Sequence, residues 1–518
     1  MAAAKVAAAV AIDSHNMSSE ARKGAVLNYL NLLLIVVTGV VLTPFVIRYL
    51  GASQYGLYSL MGSVIPYITL LDLGLGKTIT RYISHYRARH DEVGEARFLT
   101  TAVHIYAAVV VFLLLLGAVV YCHADAIWGG RFTAEELDEV RRMLVIVVLT
   151  QVVIVPGSAF TSICYGCGFF AFPRGVQPVK YVVRTLCVVV LLLCGYKAVA
   201  LIALEALLNV LIVVVTYCYV RRRIGRRSIF SREHGSYREV MSYAAWIALY
   251  AATCAMQWGI APLIAGVTTD AATVGVVGVG VLLGNMYGYF AETINRMTMP
   301  RASNFVKGNP TGQEVTDEMI RVGHVVALIL TVVLGAFIIF GRAFVVLWAG
   351  ELYEEAYCVA LIIMCAGVVQ LSQDYGNVLL EAQGRVRVMS VINFICIFVA
   401  AFLSYFASRY RGIVSMVGVL AVGTLMATVV SNVYYKHRLQ LDTARYFKTV
   451  FAPLAVVLAV CVVVSVVLER YAVMPRSWLW MAVGITLYVV IIVPVIYGLL
   501  LTDEERKRLK EYVQSKRR

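Results

Sequence analysis

The sequence predicts an all-α, polytopic membrane protein of about fourteen transmembrane helices. Three observations carry this. Sixty-one per cent of the 518 residues are hydrophobic and 14% charged, with a mean hydropathy of +0.80, whereas a soluble domain holds about 25% charged residues. Apolar segments of membrane-crossing length recur along the whole chain. Lysine and arginine alternate in density between successive connections, as the positive-inside rule requires of a multi-pass protein.

The expected spans lie near 25–47, 55–80, 98–121, 143–165, 178–196, 198–220, 241–263, 273–296, 322–341, 356–380, 387–407, 413–435, 448–468 and 477–501. A tight Gly195-Tyr196-Lys197 turn separates the fifth from the sixth. Residues 1–24 read as a disordered cytoplasmic tail; "MAAAKVAAAVAIDSH" is too weakly apolar for a secretory signal, and the first 16 residues raise the question of an upstream start. Residues 25–220 form a first group of six spans, and the basic segment 221–240 divides it from six more at 241–435. Two further spans occupy 436–501, before a basic tail at 502–518.

With a cytoplasmic N-terminus, the segments "RYISHYRARHDEVGEARF", "GFFAFPRGVQPVKYVVR", "RRRIGRRSIFSREHGSYR", "RMTMPRASNFVKGNPTGQ", "EAQGRVR", "YYKHRLQLDTARYFK" and the C-terminal tail all face the cytoplasm. These and the N-terminal segment hold about 34 of the 45 Lys and Arg, against about 10 on the other side. The formal charge of +15 therefore reflects topology, and no nucleic-acid partner is expected. The outer segments are short and acidic. "HADAIWGGRFTAEELDEVRR" reads as a short surface helix opened by a Thr133/Glu136 capping box, and Trp348 as an interface anchor.

Chemistry-bearing motifs are few. Gly76-Lys77-Thr78 has the end of a phosphate-binding loop, but Leu71 stands where its first glycine belongs. Cys164 and Cys167 form a lone CxxC, more simply read as small residues at a helix end. No catalytic signature is present and no Cys/His/acidic cluster has metal-ligand spacing, so neither catalytic residues nor a metal or cofactor are expected.

Polar residues inside spans are costly and default to functional hypotheses. In span ten, Gln370, Gln373, Asp374, Asn377 and Glu381 fall at i, i+3, i+4, i+7 and i+11, one helical stripe. Span eight repeats this with Asn285, Tyr289, Glu292 and Arg296, and span seven offers Trp246, Tyr250, Thr253 and Gln257. Such stripes suit a water-lined path for sugars; interhelical hydrogen bonding or plain helix packing is the competing explanation. Glu205 and Asn209 share a face of span six, Asn28 and Asn31 lie in span one, and His104 and His324 read as ordinary polar residues. In span two, Lys77 and Arg81 stand one turn apart at the cytoplasmic end, as snorkelling anchors or a phosphate-binding pair. Asp72 lies deeper and needs a partner. Span two closes on "KTITR" and span eight on "ETINR", a weak sign of an internal repeat.

The stretch from Phe45 to Ser84 carries Arg48, Leu50-Gly51, Tyr55-Gly56 and Tyr58, then Asp72, Gly74-Leu75-Gly76 and Arg81. This resembles the R-x-LG-x-x-x-YG-x-Y and D-x-GLG-x-x-x-x-R signatures of the Wzx-type polysaccharide-export flippases of the MATE-like (MOP) superfamily. The likeness continues, more loosely, at "LWAGELYEEAYCVALIIM" and "EAQGRVRVMSVIN". Lys77 and the "AGVTTDAATVG" turn depart from the usual pattern.

The resemblance implies two pseudo-symmetric lobes around a central cavity in a bacterial inner membrane, with both termini cytoplasmic. It implies movement of an undecaprenyl-diphosphate-linked oligosaccharide to the outer leaflet by alternating access, for O-antigen, capsule or exopolysaccharide assembly. A polysaccharide polymerase and a chain-length regulator are then the expected partners, besides the bilayer. Lys77 and Arg81 would take the diphosphate, and the stripes of spans seven, eight and ten the sugars. Asp72, Glu205, Glu292 and Asp374 are the candidates for coupling to H+ or Na+. A cation-coupled multidrug exporter of the MATE type and a membrane-embedded glycan-assembly enzyme are the alternatives.

Overall fold

The structure, a computed structural model, describes residues 19–72, 74–224, 237–383, 386–471, 475, 477–496 and 498. Most of the expected tails at 1–24 and 502–518 and most of the 221–240 segment lie outside the described residues.

The described residues are helical nearly throughout. In chain order, the helices are α1 (Ser19–Thr69), α2 (Leu75–Ala88), α3 (Glu92–Cys122), the short α4 (Ala124–Trp128), α5 (Ala134–Gly166), α6 (Ala171–Leu193) and α7 (Ala198–Ile224). There follow α8 (Tyr237–Thr268), α9 (Ala271–Lys307), α10 (Gly312–Ala349), α11 (Ala356–Ser372), α12 (Tyr375–Ala382), α13 (Val386–Arg438), α14 (Thr443–Arg470) and α15 (Trp478–Val495). Among the described residues, 12 stretches are long and apolar enough to cross a membrane.

Two of these stretches each hold two spans joined by one residue. Helix α1 turns at Gly51 (φ 76°, ψ 171°) and α13 at Gly412 (φ 81°, ψ −175°). Positive φ costs an L-residue roughly 1–2 kcal/mol, which accounts for glycine at both joints. Counting the joined helices apart restores the expected fourteen spans.

The chain divides into two compact units. Of the described residues, 19–278 and 401–416 belong to the first, and 279–400 and 417–498 to the second. In the first unit, Leu75, Ile79 and Ile83 of α2 meet Phe98, Ile105, Tyr106 and Val109 of α3 and Val155 and Ile163 of α5. The spacing of the α2 residues is that of one helical face. The tip of α13 belongs to this unit too, and the Thr268 and Ser408 hydroxyls lie 2.6 Å apart. In the second unit, Met319, Val322 and Ala327 of α10 pack with Tyr375, Leu379 and Leu380 of α12, Tyr435 of α13, and Tyr446, Val450 and Leu454 of α14.

Four expectations need correction. Span two is not one helix from 55 to 80: α1 ends at Thr69, a single 3-10 turn covers Leu70–Asp72, and left-handed Gly74 (φ 71°) restarts the chain as α2. Span ten is likewise interrupted, at Gln373 and Asp374, which breaks its expected 3.6-residue stripe. The Thr133/Glu136 capping box is present, but it opens the 33-residue α5 rather than a separate surface helix. Trp348 is buried, 5% exposed, and stacks on Phe344 with ring centroids 5.5 Å apart, because α10 is packed on most of its faces.

Gly56, in the first signature, marks a backbone contact. A β-carbon there would lie 1.7 Å from the Ala271 carbonyl oxygen, while one at Gly62 meets nothing within 4 Å. Gly56→Val should therefore lower stability by about 2 kcal/mol or more through overpacking, read as a lower thermal midpoint in detergent. Gly62→Ala, the control, should match or exceed the wild-type midpoint.

Candidate functional site

Helix α6 begins at Ala171, seven residues before the predicted start of span five at 178. The charge count places Lys180 and Arg184 in a cytoplasmic segment while the span bounds of 178–196 place them inside span five; the structure sets both well inside α6. Pro173 sits in the first turn, where a missing N–H costs nothing, so the chain enters the helix early. At 1.5 Å per residue, Lys180 lies about 14 Å and Arg184 about 20 Å along α6, in the middle part of a 23-residue helix long enough to cross a bilayer.

A carboxylate from α7 meets both cations. Lys180 Nζ donates to Glu205 Oε1 at 2.5 Å and to Asn209 Oδ1 at 2.8 Å. Arg184 Nε donates to Glu205 Oε2 at 2.6 Å, and its Nη2 to the Tyr58 hydroxyl at 2.9 Å. The i, i+4 spacing of Lys180 and Arg184 matches that of Glu205 and Asn209 on the facing helix. The motif thus sits in the sequence as two matching spacings, although the positive-inside count treats Lys180 and Arg184 as cytoplasmic cations rather than as partners of Glu205. Two cationic side chains share one carboxylate, so the cluster has a formal excess of one positive charge midway along α6. Tyr58 is the last residue of the "YG-x-Y" signature, which ties that motif to the cluster.

Asp72 has partners as well. Its Oδ1 accepts from the Tyr106 hydroxyl at 2.7 Å and the Ser158 hydroxyl at 3.1 Å. Its Oδ2 accepts from the backbone N–H of Gly76 at 3.1 Å. The carboxylate therefore satisfies an orphan donor in the first turn of α2, where negative charge is favoured, and ties α2 to α3 and α5. Lys77 and Arg81 stand on α2 beyond it, both exposed.

The second unit holds a polar cluster at the break between α11 and α12. Asp374 accepts from Asn377 Nδ2 at 3.0 Å and from Asn295 Nδ2 of α9 at 3.2 Å. The buried Gln373 accepts from Asn432 Nδ2 of α13 at 2.7 Å, and Tyr435 donates to Asn377 at 2.8 Å. Gln373 and Asn377 are thereby engaged by α13. Gln370 is half-buried and Glu381 exposed.

On α9, Asn285 and Glu292 are exposed and Tyr289 half-buried; the side chain of Arg296 lies outside the described residues, as do those of Asn28 and Asn31. On α8, Trp246 and Tyr250 are exposed and Gln257 half-buried. His104 lies 3.2 Å from the Tyr237 hydroxyl, and His324 is buried.

The N-terminal cluster makes a directional prediction about stability. Glu205→Gln leaves two cations in the span without a counter-charge, and breaking a buried pair costs about 3–5 kcal/mol. Lys180→Gln leaves Arg184 and Glu205 paired and should cost clearly less. Thermal unfolding of the two variants in one detergent checks the order, and equal midpoints would contradict the shared-carboxylate account.

Comparison with known proteins bears on this architecture. A family profile described as "polysaccharide biosynthesis protein" matches residues 22–306, more than half of the chain. No protein of curated function matches the sequence significantly. Among solved structures, the lipid II flippase MurJ in an inward closed conformation superposes with a TM-score of 0.63 at 10% identity, covering 93% of this chain and 99% of that one. An inward-facing multidrug resistance MATE family transporter of the MOP superfamily gives 0.58 at 14% identity, over 84% and 98% of the two chains. A MOP superfamily transporter from Pyrococcus furiosus gives 0.50 at 12% identity, over 81% and 95%. At such identities the structural likeness establishes the fold, and the profile establishes the family. The chain is a multi-pass membrane protein with the MOP-transporter fold and belongs to the polysaccharide biosynthesis family of Wzx-like flippases.

Proposed function

We propose that this protein flips an undecaprenyl-diphosphate-linked oligosaccharide from the cytoplasmic to the outer leaflet of a bacterial inner membrane, for surface polysaccharide assembly. The observation that carries this reading is the Lys180–Arg184–Glu205 cluster, a net positive charge held at mid-membrane depth in a chain of this family. A diphosphate is multiply charged, and arginine and lysine are the side chains that match it. A cation exporter would instead need acidic groups in excess at that depth, so the cluster disfavours the multidrug alternative.

In this reading both termini are cytoplasmic, and Lys77 and Arg81 first meet the diphosphate at the cytoplasmic mouth. It then exchanges onto Lys180 and Arg184. The side chains of Trp246, Tyr250, Gln257, Asn285, Tyr289, Gln370 and Asn377 contact the sugars. The inside-negative potential favours outward movement of an anion by about 2.3 kcal/mol per charge per 100 mV. Asp72, held by Tyr106, Ser158 and the Gly76 amide, and Glu205, Glu292 and Asp374 are the groups through which H+ or Na+ would couple, and a polymerase and a chain-length regulator are the partners that would receive the product.

Deletion of the gene should abolish surface glycan and accumulate the lipid-linked oligosaccharide inside the cell. Lys180→Gln and Arg184→Gln, expressed at wild-type level, should restore less than about a tenth of the glycan, since each removes a charge-assisted contact worth about 1.5–3 kcal/mol. Unchanged glycan in the deletion strain would sink the flippase reading. Full restoration by Arg81→Ala, Glu292→Gln and Asp374→Asn would remove those residues from the site while leaving the function standing.

A further inference from the structure

Beside the cluster lies a groove of about 380 Å³ between α6 and α7. Phe172, Val176, Val179 and Lys180 of α6 form one wall, and Leu211 and Val215 of α7 the other. Lys180 is the one ionisable residue in the lining. Its aliphatic stem follows the groove while its ammonium group is bound to Glu205 and Asn209. Phe172 is fixed as a wall by stacking on Tyr219, with ring centroids 3.7 Å apart. The groove is open along one side: Val179 is 62% exposed, Leu211 53% and Val215 40%, and all three are apolar, the character that a lipid-facing wall requires.

We propose that this groove seats the first isoprenoid units of the carrier lipid, with its diphosphate at Lys180 and Arg184, so that α6 and α7 grip the cargo from its lipid side. The proposal rests on the flippase reading and adds to it the place and the helix pair that hold the tail.

The combination of an apolar channel with a cation at one end matches a single apolar chain that ends in an anion. Depth distinguishes that chain from a resident phospholipid. The phosphate of a resident lipid stays at the interface, whereas Lys180 lies about 14 Å inside the helix. An anion reaches that level only while it is being carried across. Once there, it competes with Glu205 for the two cations, and the tail must leave sideways, which an open groove allows and a closed cavity would not.

The test uses the full chain in nanodiscs of phosphatidylethanolamine and phosphatidylglycerol, with undecaprenyl diphosphate carrying a diazirine on its first isoprenoid units. Photolysis followed by peptide mapping should place the label within 172–183 and 208–215, and excess unlabelled undecaprenyl diphosphate should suppress it at least tenfold. Val179→Trp and Leu211→Trp fill the groove from its lipid-exposed side, where a larger residue leaves packing intact. Each should weaken binding of undecaprenyl diphosphate at least tenfold and leave binding of inorganic pyrophosphate, the headgroup without a tail, within twofold. Label confined to other helices overturns the proposal, as does unchanged binding in both tryptophan variants. Groove labelling by a diazirine phosphatidylglycerol that undecaprenyl diphosphate cannot displace also overturns it, because the groove would then hold ordinary bilayer lipid. Failure of the wild-type protein to bind any polyprenyl diphosphate would count instead against the flippase reading itself.

Discussion

The first unit is organised around a carboxylate that two cations share. Glu205 draws Lys180 and Arg184 of α6 onto α7, and Arg184 reaches on to Tyr58 of α1. Three helices are thus joined at hydrocarbon depth by contacts that are strong only because water is absent. Taking three ionised groups out of water is expensive, and hydrophobic residues of similar size would hold these helices together at least as well. Stability alone therefore does not explain the cluster. Its imbalance of formal charge, two cations to one carboxylate, is the feature that packing leaves unexplained and that the proposed anionic cargo would use.

Asp72 shows the opposite use of a carboxylate. It lies in a signature stretch, and its hydrogen bonds hold the chain together where one helix gives way to the next. The chain stops being helical at Thr69 and resumes at Leu75, which exposes amide groups that would be orphaned in a membrane. Asp72 accepts from one of them and gathers Tyr106 and Ser158 from neighbouring helices. The two glycines of "GLG" also divide in role, since Gly74 supplies the left-handed residue at the restart and Gly76 the amide that Asp72 binds. The same stretch thus places Lys77 and Arg81 on a helix of their own, α2, which starts after left-handed Gly74.

The number of spans was legible in the sequence because hydropathy over about 20 residues is a local property. So were both members of the α7 half-site, Glu205 and Asn209, from their spacing. Span five was shifted toward its C-terminal end because "PRGVQPVKYVVR" contains two prolines and three cations, and local counting assigns such a stretch to water. Only the facing carboxylate of α7, some 20 residues further on, makes burial of Lys180 and Arg184 tolerable, and that pairing is a tertiary fact. The breaks at Leu70–Gly74 and Gln373–Asp374 were hidden for a related reason. Helical periodicity extrapolates across a break, so the five polar residues of span ten looked like one stripe, although their partners, Asn295, Asn432 and Tyr435, come from two other helices.

The single-glycine joints leave almost nothing to absorb change. At Gly51 and Gly412 one residue outside the helical region separates two apolar helices. Each joint therefore places its whole change of course on one φ/ψ pair that a side chain would strain. A longer connection could take up an inserted or deleted residue, whereas these two would pass it straight to the helices they join. Two residues that lack a side chain thus fix the register of four helices.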